Sequence, residues 1–186
     1  MDPITQQAVG GEVRRLRGVR RISVRTLAEH TGFSASFISQ VENGQASPSI
    51  SSLHKIADAL GVTLGEFFAQ ADGDASLIVR HSKRPRLDST WSSAHIEALG
   101  RKAGGRHLEP LLVTLEPGGR SGKGPHTHTR EEFAIIIEGV AMLTLAGQEH
   151  LLQCGDAVTL NAGDLRLWEN RQDLPTRILF VSARSG

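Results

Sequence analysis

Apolar positions change their spacing once along the chain, close to residue 71. Before that point Leu27, Ala28 and Val41, then Leu53, Ile56, Ala57 and Leu60, recur at the three- and four-residue intervals of an α-helix. Start and stop residues cut this half into five short helices. The first runs roughly from Thr5 to Gly18. Ser23 caps a second that ends at Gly32, and Ser34 caps a third that closes at Asn43-Gly44. Pro48 and Ser49 open a fourth that stops at Gly61. Thr63-Leu64-Gly65-Glu66 has the form of a capping box and starts the fifth.

After the polar breaker Ala71-Asp72-Gly73-Asp74-Ala75-Ser76 the helical period is lost. Short apolar runs replace it: Leu111 to Leu115, Phe133 to Ile137, Ala141 to Leu145, Ala157 to Leu160, Leu165 to Trp168 and Ile178 to Val181. Turns that contain glycine separate many of them, the pattern of an all-β sandwich or barrel. The expected organisation is therefore a helical domain over 8–70, a linker over 71–76 and a β domain over 77–186.

Composition narrows the class without deciding function. At 186 residues with 39% hydrophobic side chains, the chain can build two small cores. A net charge of +1 says nothing about nucleic acid, but its distribution does. Arg14, Arg15, Arg17, Arg20, Arg21 and Arg25 fall together with no intervening acid, a local positive field in the helical half. The stretch Arg80 to Arg86 is a second basic run, accounted for by solvent exposure. Cys154 is the single cysteine, so no intrachain disulfide forms and a reducing compartment is expected. Its neighbours place it as a small buried side chain. No apolar run has the length of a membrane span and the N-terminus lacks the pattern of a signal peptide, so a cytoplasmic protein is expected.

The segment Leu27-Ala28-Glu29-His30-Thr31-Gly32-Phe33-Ser34-Ala35-Ser36-Phe37-Ile38-Ser39-Gln40-Val41-Glu42-Asn43-Gly44 resembles the helix-turn-helix of the phage-repressor (XRE-type) family. A small residue is needed at Ala28 where two helices meet, Gly32 allows the turn, and Ile38 and Val41 anchor the second helix. The likeness extends from about Val13 to Phe68. It implies that the second helix enters the major groove of double-stranded DNA, with Ala35, Ser36 and Gln40 toward base edges and Ser34 and Ser39 near the backbone. Gln40 can pair bidentately with adenine, Ser36 can donate or accept, and Ala35 can touch a thymine methyl. Where many relatives have a phosphate-binding glutamine, this chain has Val24, which leaves Arg25, Arg21 or backbone N–H groups to make that contact. Glu42 is expected to pair with an arginine of its own domain.

In the β half, His126-Thr127-His128-Thr129-Arg130-Glu131-Glu132 followed by Gly139 matches the first cupin motif, H-x-H-x3-E-x6-G. The fold that this resemblance implies is a double-stranded β-helix, or jelly-roll, barrel. On an unbroken strand His126, His128 and Glu132 face one way, so two imidazoles and a carboxylate can share a divalent metal such as zinc, nickel or iron. The second motif, G-x5-P-x-G-x2-H-x3-N, reads Gly155, Asn161, Gly163, Arg166 and Asn170. Here Arg166 stands where a histidine usually completes the metal site, and a cation cannot ligate a metal.

Three readings of the cavity stay open. A metal binds through His126, His128 and Glu132 while Arg166 grips a ligand anion. Alternatively Glu132 pairs with Arg166 and the histidines bond an effector, or the cavity holds only core packing. Trp168 is expected beside Arg166 as an apolar wall. His95, His107 and His150 read as isolated surface or core residues.

Two functional classes follow. The first is a dimeric, non-enzymatic transcriptional regulator whose barrel senses a small anionic metabolite. The alternative is a cupin metalloenzyme that carries a helix-turn-helix, the layout of the hydroxypropylphosphonate epoxidases. The iron site of those enzymes needs the second-motif histidine and a tyrosine, and this chain has Arg166 and no tyrosine. The regulator reading accounts for both halves.

Overall fold

The computed structural model describes residues 5–68, 78–100 and 108–183, apart from the side chains of Glu66 and Phe68. The linker expected over 71–76, His107 and the Glu66 part of the expected capping box lie outside the described residues. No described helix is long and apolar enough to cross a membrane.

Four helices open the chain: α1 (Gln6–Val19), α2 (Val24–Thr31), α3 (Ala35–Glu42) and α4 (Ile50–Ala59). A five-residue turn, α5 (Leu64–Phe68), follows them. Each of the four begins at a hydroxyl cap. Thr5, Ser23, Ser34 and Ser49 accept from the backbone N–H groups of Ala8, Thr26, Phe37 and Ser52, donors the helix itself cannot satisfy.

The closest approach in this half is between α1 and α3. A Cβ placed on Gly10 would lie 2.3 Å from the Val41 carbonyl oxygen and 2.7 Å from that of Glu42. Only a bare Cα fits there, which outweighs the cost of about 1 kcal/mol that glycine carries inside a helix. Two turns further on, Arg17 locks the same pair of helices: Nε and Nη2 donate to Glu42 at 2.6 and 2.9 Å, and Arg14 adds a third bond at 3.4 Å. Burial alone would push the Glu42 carboxyl up, but these arginine bonds and charges outweigh it and hold the carboxyl below its ordinary value.

Among the described residues, the second half contains nine antiparallel strands in two sheets. Strands β1 (Arg86–Ser89), β2 (Ala94–Ala98), β3 (Leu108–Leu115), β9 (Thr176–Ala183), β4 (Glu132–Glu138) and β7 (Ala157–Leu160) form one, in that order. The other is β6 (Gln148–Gln153), β5 (Val140–Leu145) and β8 (Arg166–Glu169). Isolated bridges from Arg120 to Glu169 and from His126 to Arg166 lay the segment before β4 along the free side of β8. The chain passes from one sheet to the other at Gly139, where φ is +77° and a Cβ would meet the Pro175 carbonyl oxygen at 2.8 Å. Inward side chains alternate along β2 and β9, as a two-layer barrel requires.

Two expectations need correction. Cys154 is exposed rather than buried. It sits in the turn after β6, a strand that presents nearly all its side chains to solvent, and its Sγ reaches only the Ile137 carbonyl. His95 is not isolated, because its ring lies 2.7 Å from Asp88 and 2.9 Å from Glu116.

The two halves share one apolar cluster, and α4 is the helix that joins them. Leu53, Ile56 and Ala57 of α4 are buried with α1 to α3, while its other side meets the barrel. Across the seam, Ser51 N–H donates to the Ser121 carbonyl at 3.0 Å and Ser89 Oγ to the Pro48 carbonyl at 2.9 Å. Thr129 donates to Asp58 at 2.9 Å, and Arg130 lies 3.3 Å from the same carboxylate. Glu109 accepts from Gly65 N–H.

Gly10→Ala tests the α1–α3 contact. The added methyl meets backbone atoms that cannot rotate away, so a net loss of about 1–3 kcal/mol is expected despite the better helix propensity. Denaturant unfolding measures it, and a variant as stable as the parent would show that the helices have room to separate.

Candidate functional site

Helices α2 and α3 meet at Gly32, and α3 divides cleanly into two faces. Ile38, Val41 and Glu42 are buried, whereas Ala35, Ser36, Ser39 and Gln40 are exposed. Ser34 also lies at the surface, but its hydroxyl is engaged as the cap of α3, at 3.1 Å from Phe37 N. Arg25 is 87% exposed and reaches only Glu29, one turn along α2. Val24 packs against the core, and its aliphatic side chain has no group with which to hold a phosphate.

The arginine field is narrower than the sequence implies. Arg17 is committed to Glu42, and Arg20 donates to the carbonyls of Leu60 and Gly61, tying the end of α1 to the end of α4. Arg15 pairs with Glu12 and Arg14 bonds Asn43. Arg14, Arg15 and Arg20 are exposed as well but paired within the head, while Arg21 and Arg25 face solvent beside α2.

The second site is the inside of the barrel. His126, His128, Glu132, Arg166 and Trp168 line one cavity together with the apolar side chains of Ile96, Leu111, Val113, Leu115, Ile178 and Phe180. The strand expected to carry the histidines and glutamate does not run unbroken. His126 makes an isolated bridge, Thr129-Arg130 bend, and β4 starts only at Glu132. The bend nevertheless returns Glu132 toward the imidazoles, with 3.8 Å between His128 Nδ1 and Glu132 Oε1.

Arg166 has no solvent exposure. Its Nη2 donates to Glu132 Oε2 at 3.1 Å, while Ser182 donates to Glu132 Oε1 at 3.2 Å. Burial pushes the Glu132 carboxyl up and the Arg166 guanidinium down, and their mutual attraction opposes both shifts. The guanidinium keeps its charge, because its ordinary value lies far above neutrality.

A third imidazole comes from the helical half. His54 of α4 stacks on His128 with ring centroids 4.4 Å apart, and His126 lies 5.3 Å beyond. Burial, assisted by the neighbouring cations, lowers His54 to about 3 and His126 to about 4, although a bond to the Gly124 carbonyl works upward on His126. Burial also takes His128 well below its ordinary value. All three rings are neutral at pH 7, so each offers one N–H and one lone pair. Sequence motifs gave no sign of His54; a lone histidine on a helix acquires meaning only from what packs on it.

Residues 8–67 match the model of the Helix-turn-helix domain, and residues 111–182 match that of the Cupin domain. The chain thus carries a helix-turn-helix domain followed by a cupin domain. It is 28% identical over 158 residues to the HTH-type transcriptional regulator PuuR of Escherichia coli K12, a match covering 84% of each chain. HTH-type transcriptional regulator SutR of the same organism is 25% identical over 158 residues, covering 85% of this chain and 84% of its own. A crystal structure of an HTH_3 family transcriptional regulator from Vibrio cholerae shares the fold, with a TM-score of 0.76, 24% identity and 97% coverage of both chains.

The residues that could hold a metal, His126, His128 and Glu132, stand against the Arg166 guanidinium. One oxygen of Glu132 accepts from Arg166 and the other from Ser182, and the fixed charge of the buried guanidinium opposes a second cation beside it. Among the described residues no group of three or more His, Cys, Asp or Glu is arranged to hold a metal ion. The donor set does not fit a divalent cation.

The buried pair sets a measurable coupling. Arg166→Met leaves Glu132 buried without its partner and is expected to cost about 3–5 kcal/mol, whereas adding Glu132→Leu should recover most of that loss. Urea unfolding of the two single variants and the double variant decides it. Losses that simply add would mean that the two groups do not depend on one another.

Proposed function

We propose that this regulator reads DNA sequence with the exposed face of α3, as a homodimer, and that its barrel senses a small organic anion rather than catalysing a reaction. The observation that carries the DNA reading is the division of α3: Ser36 and Gln40, four residues apart on one face, are free of the core that Ile38 and Val41 fill. Ala35, Ser34 and Ser39 flank that face, and Arg25 and Arg21 supply the phosphate contacts.

Pairing is supported by the outer side of the larger sheet. Phe133 and Ile137 of β4 are 40% and 41% exposed, and the partly buried Leu179 and Val181 stand beside them on β9. Such a row of apolar side chains suits a second copy of the same sheet. A cytoplasmic location agrees with this role.

Specific binding to a duplex selected from a random pool is expected to fall by about 1–3 kcal/mol per lost base contact in Ser36→Ala/Gln40→Ala, with the weak salt-dependent component retained. Footprints should span two half-sites, and Phe133→Asp should yield monomers in light scattering. Equal affinity of parent and double variant for every duplex would remove α3 from the reading role.

For the barrel, Arg166 offers a planar fork matched to a carboxylate or phosphate, and Trp168 gives the apolar wall beside it. Zinc, nickel and iron fit this donor set poorly, and neutral imidazoles suit hydrogen bonding to an organic ligand. Calorimetry against a panel of small carboxylic and phosphoric acids is expected to find a binder whose affinity drops in Arg166→Lys, where charge is kept and the fork is lost. Binding of zinc by the parent, with no acid binding, would favour the metal-site reading instead.

A further inference from the structure

The barrel pocket and the DNA-reading head share a wall. Ile50 and His54 of α4, with Leu64 of α5, line the same cavity as Arg166, Glu132 and Trp168. With these side chains in place the free space is about 20 Å³, room for about one water molecule. An organic acid with several carbon atoms does not fit beside them.

What fills the cavity mouth is therefore part of the chain itself. His54 lies against His128 on the barrel side, and the contacts around it are individually weak. The polar ones are the Ser51–Ser121 backbone bond, Ser89 on the Pro48 carbonyl, Ile50 N–H on Ser92, Gly65 N–H on Glu109, and Asp58 with Thr129 and Arg130. Ile50 and Leu64 add apolar burial to the seam, but each half keeps its own helical or strand hydrogen bonds, so the seam can open without unfolding either half. Behind it, the Trp168 indole N–H and His128 Nε2 are buried and make no hydrogen bond among the described residues, so a ligand would satisfy both.

We propose that α4 is the lid of the barrel pocket and that His54 is its resident occupant, so that a ligand enters only when α4 lifts. The inference rests on the sensing role given above and deepens it. The ligand is a compact acid with an apolar body: its charged end meets Arg166 and the imidazoles, and its body lies against Ile96, Val113 and Ile178. Lifting α4 moves the reading helix as well, because α4 packs on α2 and α2 packs on α3. A ligand that binds only the lifted state shifts the equilibrium by its full affinity for that state. Bound ligand thus releases the head from a fixed position on the barrel, and paired heads lose the spacing that lets them grip two half-sites together.

The test uses the full chain and needs no ligand. In a Cys154→Ser background, Val113→Cys places one thiol on the pocket wall, and its reaction with dithiobis(nitrobenzoate) reports opening. Asp58→Ala removes the contacts to Thr129 and Arg130; Asp58→Asn, which preserves size, serves as the milder variant, and circular dichroism checks that both are folded. The expected result is thiol reaction faster on the order of tenfold in Asp58→Ala, and slowed in parent and variant alike by saturating selected duplex, which holds the closed state. An unchanged thiol rate in both folded variants would overturn the lid, since the pocket would then be reached by another route. A faster rate that saturating duplex does not slow would overturn the link to the head. Failure of the sensing role appears separately, as an absence of acid binding in calorimetry.

Discussion

Arg166 brings a permanent charge to the wall of an apolar barrel, and the surroundings are arranged to meet it. Glu132 answers from β4 in the larger sheet while Arg166 stands on β8 in the smaller one, so the ion pair is also a strut between the two layers. The consequences spread from there. A carboxylate beside a fixed guanidinium charge is a poor place for a second cation. A cation within reach of His54, His126 and His128 adds to burial in keeping all three rings uncharged. The pocket is therefore electrically balanced, with hydrogen-bonding capacity left on the imidazoles.

A similar economy holds in the helical half. Glu42 is the buried carboxylate there, and Arg17 and Arg14 converge on it from α1. That cluster, together with the bare Cα of Gly10, seats α1 directly on the inner side of α3. The outer side of α3 is left with short polar side chains and no structural duty except the cap at Ser34. Stability and recognition are thereby assigned to opposite faces of one eight-residue helix.

Much of this was legible from residue order, and the exceptions have physical causes. Serine caps and glycine stops located the helices, because local hydrogen bonds decide helix ends. The strands with continuous apolar runs, such as Leu111 to Leu115, were evident too. Strand β6 was not, since its exposed side chains carry no burial pattern, and neither were β1 and β2, which are short and half polar. Cys154 was placed inside on its residue type, but its position in a turn overrides that tendency. The motif spacings brought His126, His128, Glu132, Arg166 and Trp168 to one cavity, yet they did not foretell how Glu132 divides its oxygens between Arg166 and Ser182. Nor does any local pattern point to His54, whose partner lies 74 positions away in the chain. The arginine run reads as one field in the sequence, and only tertiary structure shows that Arg17 and Arg20 are tied to Glu42 and to the end of α4.

Helix α4 carries two sets of obligations on its ten residues. Leu53, Ile56 and Ala57 must suit the head, while Ile50, His54 and Asp58 must suit the barrel. A reading head transplanted from another regulator would bring a foreign surface to this seam, even if its own core were faultless. Recombination that cuts at the linker would then exchange recognition but lose the fit between the parts. Chimeras built from this protein need the barrel-facing residues of α4 to travel with the barrel rather than with the head, so the functional boundary runs lengthwise through a helix.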